Sequence, residues 1–82
     1  MTEELRCLAL AEWPGEAQAR VVSVTDSGNR AEVALLVSGY DYWEYFMRDA
    51  AGRWSGTVSG NAPCDGWDDA SVIDWGSLGR EG

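Results

Sequence analysis

The segment RAEVALLVS at 30–38 constrains this chain more than any other, because its apolar residues recur with a period of two. Ala31, Val33, Leu35 and Val37 fall on one side, with Glu32, Ala34, Leu36 and Ser38 on the other. That spacing fits a strand with one buried face and is wrong for a helix. Turn-forming residues bracket it, Asp26-Ser27-Gly28-Asn29 before and Gly39-Tyr40-Asp41 after. A strand so placed needs neighbours, and both flanks supply them. The β-branched run at 20–25 predicts a preceding strand, and the aromatic run at 42–48 predicts a following one.

Register follows from loop length. With Gly39-Tyr40-Asp41 as a three-residue loop, Val37 faces Trp43, Leu35 faces Tyr45 and Val33 faces Met47. On the reverse side Glu32 then meets Arg48 as an opposite-charge pair. A two-residue loop shifted by one position sets Glu44 opposite Leu35 on the buried face, which disfavours it. Asp49-Ala50-Ala51-Gly52 reads as a four-residue hairpin loop, with Gly52 free to take a left-handed conformation. A strand at 53–60 brings Trp54 opposite Met47 and Val58 opposite Trp43. The expected core row is therefore Trp43, Tyr45, Met47 and Trp54, and the expected outer row is Tyr42, Glu44, Phe46 and Arg48.

At the N-terminus Thr2 reads as a cap, with Glu3 and Glu4 favouring the positive end of a helix dipole. Leu5, Leu8 and Ala9 have helical spacing, and Pro14-Gly15 stops the element. The prediction is an amphipathic helix over 3–12, with an edge strand through 7–13 as the alternative. From Asn61 the texture turns to Pro, Gly and Asp. Positions 61–82 read as an irregular acidic segment docked on the sheet, with an extra strand or turn at 72–75 and a frayed end at 79–82. The fold class is α+β: a short N-terminal helix on a four-stranded antiparallel meander, as one domain over 1–82.

Composition bounds the chemistry. A chain of 82 residues buries only about 60–65% of its unfolded surface. Five Trp, three Tyr and one Phe supply large buried area to offset this. Fourteen acids against six Arg give a net charge of −8, which repels nucleic-acid backbones and anionic lipid. There is no Lys and no His, so Schiff-base chemistry, a phosphate-binding P-loop and the usual general base are all excluded. The exclusive use of Arg suggests a high-GC genome, actinobacterial or that of a phage of such a host.

Cys7 and Cys64 match no zinc spacing and no CxxC motif. Paired, they would contribute about 4 kcal/mol in an oxidising compartment; unpaired, they are small buried hydrophobes. The opening MTEELRCLALAEW carries acids where a signal peptide needs positive charge, and no apolar run reaches membrane-spanning length. The expected location is cytoplasmic.

Arg30-Ala31-Glu32-Val33 followed by YDYWEYFMRDAAGRW resembles the strand pattern of small actinobacterial proteins with nuclear-transport-factor-like or cystatin-like antiparallel sheets. The resemblance implies such a sheet. It carries over no functional residue, since the long helices of those families have no counterpart here.

No catalytic constellation stands out. The serines have no activating base and no G-x-S-x-G elbow. Pairs among fourteen acids have no specificity for glycoside chemistry. Asp65, Asp68, Asp69 and Asp74 lack the spacing of a calcium loop and read as turn acids, so no cofactor or metal is expected. The expectation is a non-enzymatic module that occupies a basic protein partner, such as a nuclease, as immunity proteins and antitoxins do. Candidate binding residues are Tyr40, Tyr42, Phe46 and Trp67 with Asp65, Asp68 and Asp69. The alternative is a secreted carbohydrate or small-ligand binding domain using exposed aromatics and a Cys7–Cys64 disulfide. A homodimer through the outer sheet face is a third arrangement. In a competing reading Trp67, Ile73 and Trp75 fold back over that face.

Overall fold

A computed structural model describes residues 2–69; the segments expected at 72–75 and 79–82, with Ile73, Asp74 and Trp75, lie outside the described residues. Helix α1 (Thr2–Ala11) places Leu5 and Ala9 one turn apart, and both are fully buried. Glu3 and Glu4 sit in its first turn as expected. The helix ends where Glu12 and Trp13 donate their N–H groups three residues back, to Ala9 and Leu10. Pro14 then leads into a single 3-10 turn, Gly15–Ala17, closed by Gln18 in a left-handed conformation. No helix among the described residues is long and apolar enough to cross a membrane.

Four strands follow, β1 (Ala19–Asp26), β2 (Arg30–Val37), β3 (Tyr40–Arg48) and β4 (Trp54–Gly60), forming one antiparallel sheet in chain order. The α+β architecture and the meander match the sequence reading. So does the buried face of β2: Ala31, Val33, Leu35 and Val37 are at most 5% exposed and pack against Leu5 and Ala9. Each buried Val or Leu there contributes roughly 1.5–3 kcal/mol.

The β2–β3 register differs from the expected one. Ser38-Gly39 alone makes the turn, with φ of 52° and 86°, so Val37 pairs with Tyr40, Leu35 with Tyr42, Val33 with Glu44 and Ala31 with Phe46. Positive φ at both central residues belongs to a type I′ turn, whose twist matches that of the strands. Ser accepts this conformation at a cost of about 1 kcal/mol. A bond from Ser38 Oγ to the Ala17 carbonyl, 2.6 Å long, offsets that cost.

This register exchanges the two aromatic rows. Tyr42, Glu44, Phe46 and Arg48, expected outside, share the helix side with the buried residues of β2, and Phe46 is a core residue at 2% exposure. Trp43, Tyr45 and Met47, expected in the core row, lie on the reverse side. The expected Glu32–Arg48 pair is absent. Glu32 opposes Tyr45 and accepts its hydroxyl at 2.8 Å, while Arg48 lies 3.7 Å from Asp26 and 4.4 Å above the Trp54 ring.

The β3–β4 hairpin also departs by one residue, with Arg48 rather than Met47 opposite Trp54. Its loop closes through Asp49 N–H to Arg53 O, with Gly52 left-handed as the sequence suggests. The Asp49 carboxylate accepts the N–H groups of Arg53 and Ala51, which hold its pKa below the usual range. Thr57 is an extra residue in β4, since Gly56 pairs with Phe46 but Val58 pairs with Tyr45. That bulge turns Val58 to the reverse side, 38% exposed instead of in the core. Trp54 stays buried on the helix side.

On the reverse side Tyr45 is buried and its phenol is a junction. Its O–H donates to Glu32 Oε2 while its oxygen accepts the Cys64 N–H at 2.7 Å, and burial pushes its pKa up. The Trp67 ring lies 6.0 Å from Tyr45, and its carbonyl accepts Arg30 Nη1 at 3.0 Å. Residues 61–69 thus fold back over this side of β2 and β3; the competing sequence reading has Trp67 cover the row of Tyr42 and Phe46, but that row lies on the helix side and Trp67 meets Tyr45 instead.

Candidate functional site

On the helix side α1 packs chiefly over β1 and β2, and the β3–β4 half meets the chain just past the helix end. There Trp13 tilts against Tyr42, with ring centroids 5.0 Å apart, and its Nε1–H donates to Glu44 Oε2 at 2.7 Å. Glu44 is 4% exposed. Burial pushes its carboxyl above the ordinary value; the indole bond works against this, and the nearby Glu12 charge adds to it.

Glu12 and Glu44 face one cleft of about 260 Å³, bordered along β4 by Gly56, Thr57, Val58 and Ser59. Neither carboxylate forms an ion pair with a described residue. The far border is the outer edge of the sheet, since β4 pairs only with β3 among the described strands. The site is therefore a polar cleft with a buried carboxylate at its floor, one oxygen of which accepts the Trp13 indole N–H. A carboxylate offers about four acceptor positions, and the indole uses one. The two carboxylates of the cleft make it electronegative. Two carboxylates are too few for a hard-metal cage, and no group of three His, Cys, Asp or Glu converges among the described residues.

The residues singled out in the sequence are not gathered into one site; only Trp67, Asp65, Asp68 and Asp69 lie together, in one turn. Tyr40 stands 72% exposed beside the Ser38-Gly39 turn. Tyr42 is half-buried against Trp13, and Phe46 is in the core. Trp67 is half-buried against Tyr45 on the other side of the sheet, with Asp65, Asp68 and Asp69 exposed beside it in a turn. Cys7 and Cys64 are both free, on opposite sides of the sheet. The cleft residues Glu12 and Glu44, and Trp13 that bonds Glu44, are not among the candidate binding residues of the sequence. One signal points to Glu44: it is the lone acid within the aromatic run YWEYF.

Comparison with protein-family models, with curated proteins and with solved structures finds no match for this chain, so its likeness to nuclear-transport-factor-like and cystatin-like sheets has no support there.

Proposed function

We propose that this chain is a non-enzymatic binding module that occupies a basic protein partner, in the manner of an immunity protein or an antitoxin. One observation carries the reading: two carboxylates, one of them buried, face a single cleft without a cation to pair with among the described residues. Burying a carboxylate is costly unless it is paired. A stable fold has no use for such a cost, whereas a recognition site recovers it when a partner supplies the cation. The net charge of −8 adds long-range attraction for a basic surface and repels nucleic acid itself.

The test is binding to small basic proteins across an ionic-strength series, read by intrinsic tryptophan fluorescence, since Trp13 touches Glu44. The expected result is affinity that falls as salt rises and is weakened by Glu44→Gln. Binding insensitive to both salt and Glu44→Gln refutes the reading. Carbohydrate recognition draws less support. It needs an exposed aromatic platform beside hydroxyl ligands, and Tyr40, the one aromatic among the large exposed hydrophobics of the described residues, does not line the cleft.

A further inference from the structure

The two edges of the sheet differ in how they meet solvent. Exposed edges present unpaired N–H and C=O groups, and folded proteins commonly blunt them with charge, proline or bulges. The edge strand β1, ARVVSVTD, carries Arg20 and Asp26 as well as an irregularity at Val22. The edge strand β4, WSGTVSG, carries no charge and no proline. Its only interruption is Thr57, whose hydroxyl turns inward to the Tyr45 carbonyl at 3.0 Å. Among the described residues β4 is thus an open, neutral strand template, and the acidic cleft runs beside it.

We propose that an extended Arg-bearing segment of the partner pairs with the free edge of β4 and places one guanidinium in the Glu12–Glu44 cleft. This rests on the reading of the chain as a module for a basic protein and specifies how that protein is held. The geometry suits it. A strand added to β4 lies about 10 Å, two strand spacings, from the β3 backbone that carries Glu44. An Arg and a Glu side chain reaching toward each other cover that distance. The residues of β4 opposite Phe46 and Glu44 are Gly56 and Ser59, and with Thr57 and Val58 they border the cleft, so no long side chain of β4 stands in the path. Arg fits better than Lys, because its planar fork can engage the open Glu44 oxygen and still present donors to Glu12. Main-chain pairing then supplies affinity while the cleft supplies specificity, as in other strand-addition complexes. A second copy of this chain is the poorer occupant, since each copy carries a charge of −8.

The probe is a nine-residue peptide alternating Arg and Thr, with the same peptide N-methylated throughout as its partner control. Both have equal charge, but the second cannot donate strand hydrogen bonds. Amide exchange at 54–60 and tryptophan fluorescence are followed on the full chain. The unmethylated peptide is expected to slow exchange in β4, and the methylated one to bind at least tenfold more weakly. Glu44→Gln is expected to weaken the unmethylated peptide at least tenfold, and Glu3→Gln, an equal charge change at the far end of α1, less than twofold. Equal binding of both peptides overturns strand addition and leaves the basic-partner reading standing. Equal losses from Glu44→Gln and Glu3→Gln overturn the cleft as the Arg site. Edge amides of β4 already protected in the free chain show that the edge is occupied, and overturn the proposal. No binding of either peptide overturns the proposal and removes the support for a basic partner as well.

Discussion

Trp13→Phe probes the contact on which the cleft depends. The substitution keeps an aromatic ring beside Tyr42 but deletes the Nε1–H that donates to Glu44 Oε2 at 2.7 Å. A hydrogen bond to a charged group is worth about 1.5–3 kcal/mol, against about 0.5–1.5 for a neutral one. Glu44 is 4% exposed, so little water can take the place of the lost donor on that oxygen. The smaller ring also loses some packing, and a double-mutant cycle removes that contribution. In a Glu44→Gln background the side-chain carbonyl still accepts the indole N–H, but without charge. Trp13→Phe is therefore expected to cost about 1 kcal/mol more in the native background than in Glu44→Gln. The excess should shrink as pH falls, because a protonated Glu44 no longer presents a charge to the indole. Urea unfolding followed by far-ultraviolet circular dichroism measures all four corners without relying on the altered tryptophan. An identical cost in both backgrounds and at both pH extremes would refute the claim that Trp13 holds a buried carboxylate.

Three further outcomes follow from the same contacts. Glu44→Gln should raise stability at neutral pH, because the raised Glu44 pKa means the folded state binds a proton more tightly than the unfolded chain. The stability linked to that proton is fully present below the unfolded value near 4.5 and is lost as pH rises through the folded one, so the gap over native protein should close on acidification in urea titrations across pH. Tyr45→Phe removes the acceptor of the Cys64 N–H and the donor to Glu32, so it should cost about 1–3 kcal/mol and speed amide exchange at Cys64. Gly39→Ala should cost about 1–2 kcal/mol in thermal or urea unfolding; the added Cβ meets nothing within 4 Å, so the whole effect comes from the backbone at φ 86°.

Much of the fold is legible because it is written locally. The period of two in 31–37 names its buried face, and the helix is specified by Leu5 and Ala9 at four-residue spacing. Gly52 and the Asp49 loop follow ordinary turn chemistry. The β2–β3 register is less legible, because Ser38 must enter a left-handed conformation that its residue type does not advertise. The dipeptide Ser-Gly is nonetheless a turn signal, and weighting it above the apparent Glu32–Arg48 pairing gives the observed hairpin. A charge at the buried position 44 looks forbidden while only neighbouring strands are considered. Its donor, Trp13, is 31 residues away in sequence, beyond any pattern of local period. The Thr57 bulge is hidden for a related reason, since its hydroxyl is satisfied by the Tyr45 carbonyl across the hairpin. The candidate site is built from these non-local contacts, which is why the cleft emerges only from the folded chain.

The most direct test of a cation-receiving cleft is the titration of the Glu44 side-chain carboxyl by carbon-13 NMR, in the free chain and with the Arg–Thr peptide bound. In the free chain the midpoint should lie above the ordinary 4.5, because the group is buried near Glu12 with one hydrogen bond. With a guanidinium beside it the charged form is stabilised, and the midpoint should fall. A Glu44 that titrates at the ordinary value in the free chain, or at the same pH with and without the peptide, would contradict the account.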